Sequence, residues 1–148
     1  MAAAAAASAI LAGIAATGHL DKESLAMLQF LYQRNLARAL RILDMEGVKR
    51  ITGQNSKRSI FVVRGETDKS DQHLCLLKPH FCSCPSFFFD VVVRHQHLCC
   101  KHQLAASLAE ALRICKDQTV SDQELAILLL EKRSKRNRRQ VHYALQEK

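Results

Sequence analysis

From Asp21 onward, apolar residues return every three to four positions. Leu25, Leu28, Leu31 or Tyr32, Leu36, Leu40 and Leu43 line one face of a helix, or of two short helices in succession. Asp21, with Ser24 close behind, supplies N-cap chemistry at the start, and Gly47 marks the stop. The period then shortens. Val48 to Thr52, Ser59 to Arg64 and His73 to Leu77 are short β-prone runs. They are separated by Gly53-Gln54-Asn55-Ser56 and by the polar stretch from Glu66 to Gln72, both rich in turn formers. This pattern predicts a small antiparallel meander. Beyond residue 102, Leu104, Leu108, Leu112 and Cys115 restore the helical period. Ser121 with Glu124 has the form of a capping box, opening a second C-terminal helix through Leu125, Leu128 and Leu129. The predicted class is α+β: an N-terminal helical segment, the meander, a loop rich in cysteine, and two C-terminal helices.

Ahead of this pattern, Met1 to Gly18 is an alanine run with only Ile10, Leu11 and Ile14 as larger apolar groups. No Lys or Arg precedes them and alanine is barely hydrophobic, so the run indicates a signal peptide only weakly and a membrane span less still. Residues 1–20 are expected to be an Ala-rich flexible tail, disordered or a fraying helix, and the protein is expected to be soluble.

Composition changes the picture little. An apolar fraction of 48% and a charged fraction of 24% are those of a globular chain. At 148 residues, folding buries about 70% of the surface that the unfolded chain exposes, enough for one modest core. Charge changes it more. The net charge is +8, and much of the excess falls between Lys132 and Arg139, where Lys132, Arg133, Lys135, Arg136, Arg138 and Arg139 occur with no acid. Such a run is attracted to phosphate backbones and has the composition of a nuclear-import signal; a solvated helix end is the plainer reading. The predicted layout is a tail at 1–20, one domain at 21–132 with its cysteine-rich centre at 73–115, and a basic tail at 133–148.

The six cysteines are spaced for a metal. Cys82 and Cys84 are too close to bridge one another easily, and Cys100-Lys101-His102 pairs a thiol with an imidazole, so a reducing compartment is expected. In extended chain, residues two apart project on one face, which lets both sulfurs of Cys82-Ser83-Cys84 reach one ion. Cys100 and His102 fall where a helix begins, and the partial positive charge there favours thiolate. Four such donors, Cys82, Cys84, Cys100 and His102, suit one structural zinc ion held tetrahedrally. Cys99 with His102 would give a two-residue gap like that of other fingers, but Cys100 is preferred. His80 is either an alternative donor or a supporting neighbour. Cys75 and Cys115 fall on periodic apolar positions and read as small core residues. Phe87, Phe88 and Phe89 could stack bases, but core packing over the metal site is the expected role.

The run from Cys82-Ser83-Cys84-Pro85 through Phe87 and Phe89, followed by Leu98-Cys99-Cys100-Lys101-His102, resembles the SWIM zinc finger. More narrowly, it resembles the SWIM subunit of the Shu complex, the zinc finger SWIM domain-containing protein 7 family. Val120 to Leu125, Leu128 to Lys132, and the helical segments around Leu28 to Leu31 and Ala39 to Asp44 are similar to that family too. The alanine run, the middle strands and the long basic extension depart from it. The family's Leu-Cys-Lys-His ending supports Cys100 as the ligand. The resemblance implies a non-catalytic nuclear protein. Its partner would be a small RecA-like ATPase paralogue, and the two would help a strand-exchange recombinase assemble on single-stranded DNA during homologous recombination. No Gly-x-x-x-x-Gly-Lys-Ser/Thr loop occurs, so ATP use would belong to the partner. An autonomous DNA-binding module using Arg94, Lys101 and the basic tail is the alternative. A redox or nucleophilic enzyme is disfavoured because four ligands close the metal's shell.

Overall fold

The computed structural model describes residues 2–68 and 70–131. Three helices come first: α1 (Ala2–Thr17), α2 (Lys22–Tyr32) and α3 (Arg34–Asp44). Four strands follow, β1 (Val48–Gly53), β2 (Ser59–Arg64), β3 (Gln72–Leu77) and β4 (His80–Cys82). A π-helical turn at Phe87–Val93 leads to α4 (Lys101–Leu112), then β5 (Lys116–Val120), and a last helix, α5, runs over 122–131. The class is α+β, as the periodicity predicts.

The meander pairs antiparallel throughout, Ile51 opposite Ile60 and Phe61 opposite Cys75, with the short β4 added at one edge so that Cys82 faces Cys75. At the other edge lies a strand the sequence does not announce. β5 pairs parallel to β1, Ile51 opposite Gln118, giving the order β4-β3-β2-β1-β5. Its sequence, Lys-Asp-Gln-Thr-Val, is exposed along almost its whole length, so it carries none of the apolar alternation by which strands are recognised.

Both faces of the sheet are covered. On β2 and β3, Phe61, Val63 and Cys75 point into the main core, while Ile60 and Leu74 join Ile51 and Leu125 in a second cluster on the opposite face. The main core is built around α4, whose Leu104, Ala105, Ala106, Leu108 and Ala109 are all buried. It lies against the sheet on one side and against α3 and α1 on the other. Small residues on α4 let these neighbours approach closely.

The alanine run is no tail. Alanine has the highest intrinsic helix propensity, and α1 is folded onto α4 through Ala7, Ile10, Leu11 and Ile14, one helical stripe, with Ile14 only 1% exposed. Gly18, at φ 67°, takes the left-handed conformation that ends the helix. The expected boundary at residue 20 is therefore corrected: residues 2–17 belong to the folded unit. The predicted caps form as expected. Asp21 accepts from the Ser24 amide at 2.7 Å. Ser121 Oγ accepts from the Glu124 amide at 3.2 Å, and Glu124 accepts from the Ser121 amide at 2.9 Å. Asp122 ties α5 to the β1–β2 turn by accepting from Ser56 Oγ at 2.8 Å. α3 ends at Asp44, and Gly47 follows where an added Cβ would lie 2.9 Å from Ile42. The basic run from Lys132 lies outside the described residues. No helix among the described residues is long and apolar enough to cross a membrane.

Candidate metal centre

The β3–β4 hairpin delivers the first pair of donors. Cys82 is the last residue of β4, and Cys84 lies two residues on, just before the π-helical turn. The second pair arrives from α4: Cys100 is its N-cap residue and His102 lies in its first turn. The fold brings all four together. One donor atom from each of Cys82, Cys84, Cys100 and His102 lies within 4.8 Å of the others, and all four side chains are buried. A tetrahedral zinc ion with bonds of about 2.0 to 2.3 Å is of the size such a cluster encloses after slight contraction.

Two observations fit these residues to the ion. Both ring nitrogens of His102 are buried with no hydrogen-bond partner among the described residues, an arrangement costly in a native core unless a metal takes one of them. The sulfurs, in turn, are set up to carry charge. Cys100 Sγ accepts from the Gln103 amide at 3.4 Å, and Cys84 Sγ from the Phe87 amide at 3.3 Å. The first of these makes the metal ligand the cap of α4, so one sulfur both closes the helix and holds the ion. Hydrogen bonds from Cys100 and Cys82, together with the neighbouring His102, hold the Cys84 thiol far below its usual range, while burial pushes Cys82 and Cys100 up. A bound dication would draw the protons from all three thiols.

The remaining sequence candidates fall outside the cluster. Cys99 is only partly buried. Its carbonyl accepts from Asn35 Nδ2 at 3.4 Å, and burial raises its thiol to about 12. His80 is exposed on β4. Cys75 is fully buried in the core, as expected, with its sulfur 3.4 Å from that of Cys82. Cys115 is half-buried against the core, but it lies beyond the end of α4 rather than on it. Of the three phenylalanines, Phe87 is buried and packs edge-on to Phe81 at 5.9 Å, the core role expected of it; Phe88 and Phe89 are half-buried and pack on each other.

Two groups that spacing does not reveal complete the surroundings. His73, buried on β3, stacks on His102 with ring centroids 4.1 Å apart, and its Nε2 lies 3.1 Å from Asp71. Glu66, from the loop after β2, gathers three cations: Arg38 at 2.9 Å, Arg41 at 3.0 Å and Lys101 at 2.9 Å. Lys101 stands between the ligands Cys100 and His102, so this carboxylate fixes the start of α4 from outside the cage.

The SWIM zinc finger family model matches residues 61–111, which contain all four donors. Zinc finger SWIM domain-containing protein 7 of Homo sapiens is 33% identical over 127 residues, covering 85% of this chain and 89% of that protein. The chain belongs to the zinc finger SWIM domain-containing protein 7 family. Its Mus musculus member is 35% identical over 124 residues, 84% of this chain and 80% of its own length. The Dictyostelium discoideum homologue of zinc finger SWIM domain-containing protein 7 is 32% identical over 108 residues, covering 73% and 68%. No solved structure matches the chain. For this member of the zinc finger SWIM domain-containing protein 7 family, the metal is one zinc ion. Its relatives are named as zinc finger proteins and not as enzymes.

Proposed function

We propose that this protein is a non-catalytic, zinc-stapled subunit of a Shu-type complex. In that role it works in the nucleus beside a small RecA-like ATPase paralogue, and the two promote assembly of a strand-exchange recombinase on single-stranded DNA in homologous recombination repair. The observation that carries the reading is the closed cage: four buried protein donors leave the ion no open position for water or substrate, so the zinc supplies rigidity and not chemistry. Membership of the zinc finger SWIM domain-containing protein 7 family supplies the biological setting. Exposed apolar side chains support an obligate partner. On α2, Phe30 is 84% exposed with Met27 one turn before it, and Val92, Val93 and Leu130 also face outward.

The test is affinity capture of the tagged chain from nuclear extract, with mass spectrometry of what co-elutes, using Phe30→Ser and Cys100→Ser as controls. Recovery of a small RecA-like ATPase with the wild type, lost from both variants while Phe30→Ser keeps its zinc, supports the reading. Retention of nucleic acid alone replaces it with an autonomous DNA-binding module.

A further inference from the structure

The three sulfurs of the cage are not supported alike. Cys84 Sγ accepts from the Phe87 amide and Cys100 Sγ from the Gln103 amide, backbone donors supplied where the π-helical turn and α4 begin. Cys82 ends a strand, where no helix start offers its amides. Its sulfur is met instead by a side chain, with Cys75 Sγ 3.4 Å away. The contact follows from register. Cys75 on β3 lies directly opposite Cys82 on antiparallel β4, and opposed side chains start about 4.5 to 5.5 Å apart at Cβ. One residue along, the Ser83 amide donates to the Leu74 carbonyl at 3.0 Å and the Leu74 amide donates to Ser83 Oγ at 2.9 Å. Ser83 stands between the ligands Cys82 and Cys84, so the bonds that lock the hairpin also fix the sulfurs. Cys75 itself is completely buried in the main core.

Charge decides the direction of this bond. Zinc with three thiolates and a neutral imidazole carries one net negative charge. Four ligands fill a structural zinc shell, so Cys75 has no place in it. A further thiolate 3.4 Å from Cys82 would meet repulsion with no solvent to screen it, so Cys75 stays a thiol. Zinc-bound Cys82 has no proton to give, which makes Cys75 the donor and Cys82 the acceptor. A thiol is a weak donor, but a charged acceptor strengthens the bond.

We infer that Cys75 is a positioning residue for the metal: its thiol donates a hydrogen bond to zinc-bound Cys82, completing a set in which each of the three sulfurs receives a donor from this chain. The bond fixes the orientation of the Cys82 side chain and offsets part of the charge of the cage, as partners behind metal ligands do. Cys75 thus acts on the ion through Cys82 while filling the core. This role rests on the zinc cage and is independent of the recombination reading.

The experiment measures zinc affinity of the full-length chain by competition with a chromophoric chelator. It compares the wild type with two matched pairs, Cys75→Ser with Cys75→Ala and Cys75→Thr with Cys75→Val. Within each pair the shape is nearly the same and only one member can donate. Losing a partner behind a metal ligand costs about 10- to 100-fold in affinity, and a thiol belongs at the low end. Cys75→Ala is therefore expected to bind zinc about tenfold more weakly than the wild type, and Cys75→Ser within about twofold of it. Cys75→Val should fall about tenfold below Cys75→Thr, and this larger pair decides the matter if the smaller one fails to fold. Packing alone predicts the reverse order, because a buried hydroxyl without an acceptor is costly. Ala and Val variants that hold zinc as tightly as their hydroxyl counterparts would therefore overturn the inference. Cobalt in place of zinc gives a second readout. Without the donor the Cys82 sulfur releases charge more readily, so the thiolate-to-cobalt charge-transfer band is expected to move to longer wavelength in the Ala and Val variants and to stay near the wild-type position in Ser and Thr. An unshifted band in all four would also overturn it. A wild type that holds no zinc would overturn the cage and the contact together, whereas a loaded wild type with four equal variants overturns the contact alone.

Discussion

At the scale of single residues, each ligand pair comes from one short stretch, Cys-x-Cys or Cys-x-His, whereas His73 and Glu66 meet His102 and Lys101 across 29 and 35 residues, with no spacing to mark them. His102→Ala is expected to remove the zinc and with it most of the tertiary structure, because structural zinc supplies roughly 10 to 16 kcal/mol in small fingers, comparable with the stability of a whole domain. Metal analysis and near-ultraviolet circular dichroism check this, and a zinc-free variant with native spectra would refute it. Glu66 gives a pH signature. Burial alone would raise its carboxyl, but the hydrogen bonds and charges of Lys101 and Arg38 hold it down at about 2, against 4.5 ordinarily. A lowered pKa means that its contribution is complete above pH 4.5 and is lost as the pH falls towards 2. Glu66→Gln is expected to cost about 1 to 2 kcal/mol at pH 7. The gap between variant and wild type should close over that acid range, and a gap independent of pH would count against the network.

At the scale of elements, the strands of the meander and α4 follow from apolar period and capping residues, and they fell close to where the pattern put them. The apolar stripe from Leu25 to Leu43 allows two short helices without placing the break, which sits at Gln33, a residue with φ 51°. One feature did not follow. Alanine gives little hydrophobic signal, so the pattern marks α1 as a tail, yet a helix of small residues packs closely where a bulkier one could not. Ile14→Ala is expected to destabilise the protein by about 2 to 4 kcal/mol, as truncation of a fully buried aliphatic side chain does. A flexible tail would give a change near zero, and chemical denaturation separates the two outcomes.

At the scale of the molecule, the sheet and the zinc cage are one structure, since β4 belongs to the first and carries Cys82, with Cys84 just beyond it, to the second. Chelation is therefore expected to abolish cooperative thermal unfolding rather than to loosen one loop. Cys82, Cys84 and Cys100 should resist alkylation until the chelator is added and then react together. Rapid labelling of any of these thiols in the zinc-loaded protein would contradict a closed shell. The parallel pairing of β5 with β1 could not be read from sequence, because an exposed polar edge strand is specified by its partner and not by its own pattern. That pairing also sets an order of events on the ribosome. β1 is synthesised more than sixty residues before the strand that completes its edge, and at about 5 to 20 residues per second the nascent sheet waits several seconds with that edge open. The metal-binding segment emerges within this interval, so zinc can pin the hairpin to the start of α4 before the last strand arrives, giving the growing chain a metal-dependent checkpoint ahead of its final closure.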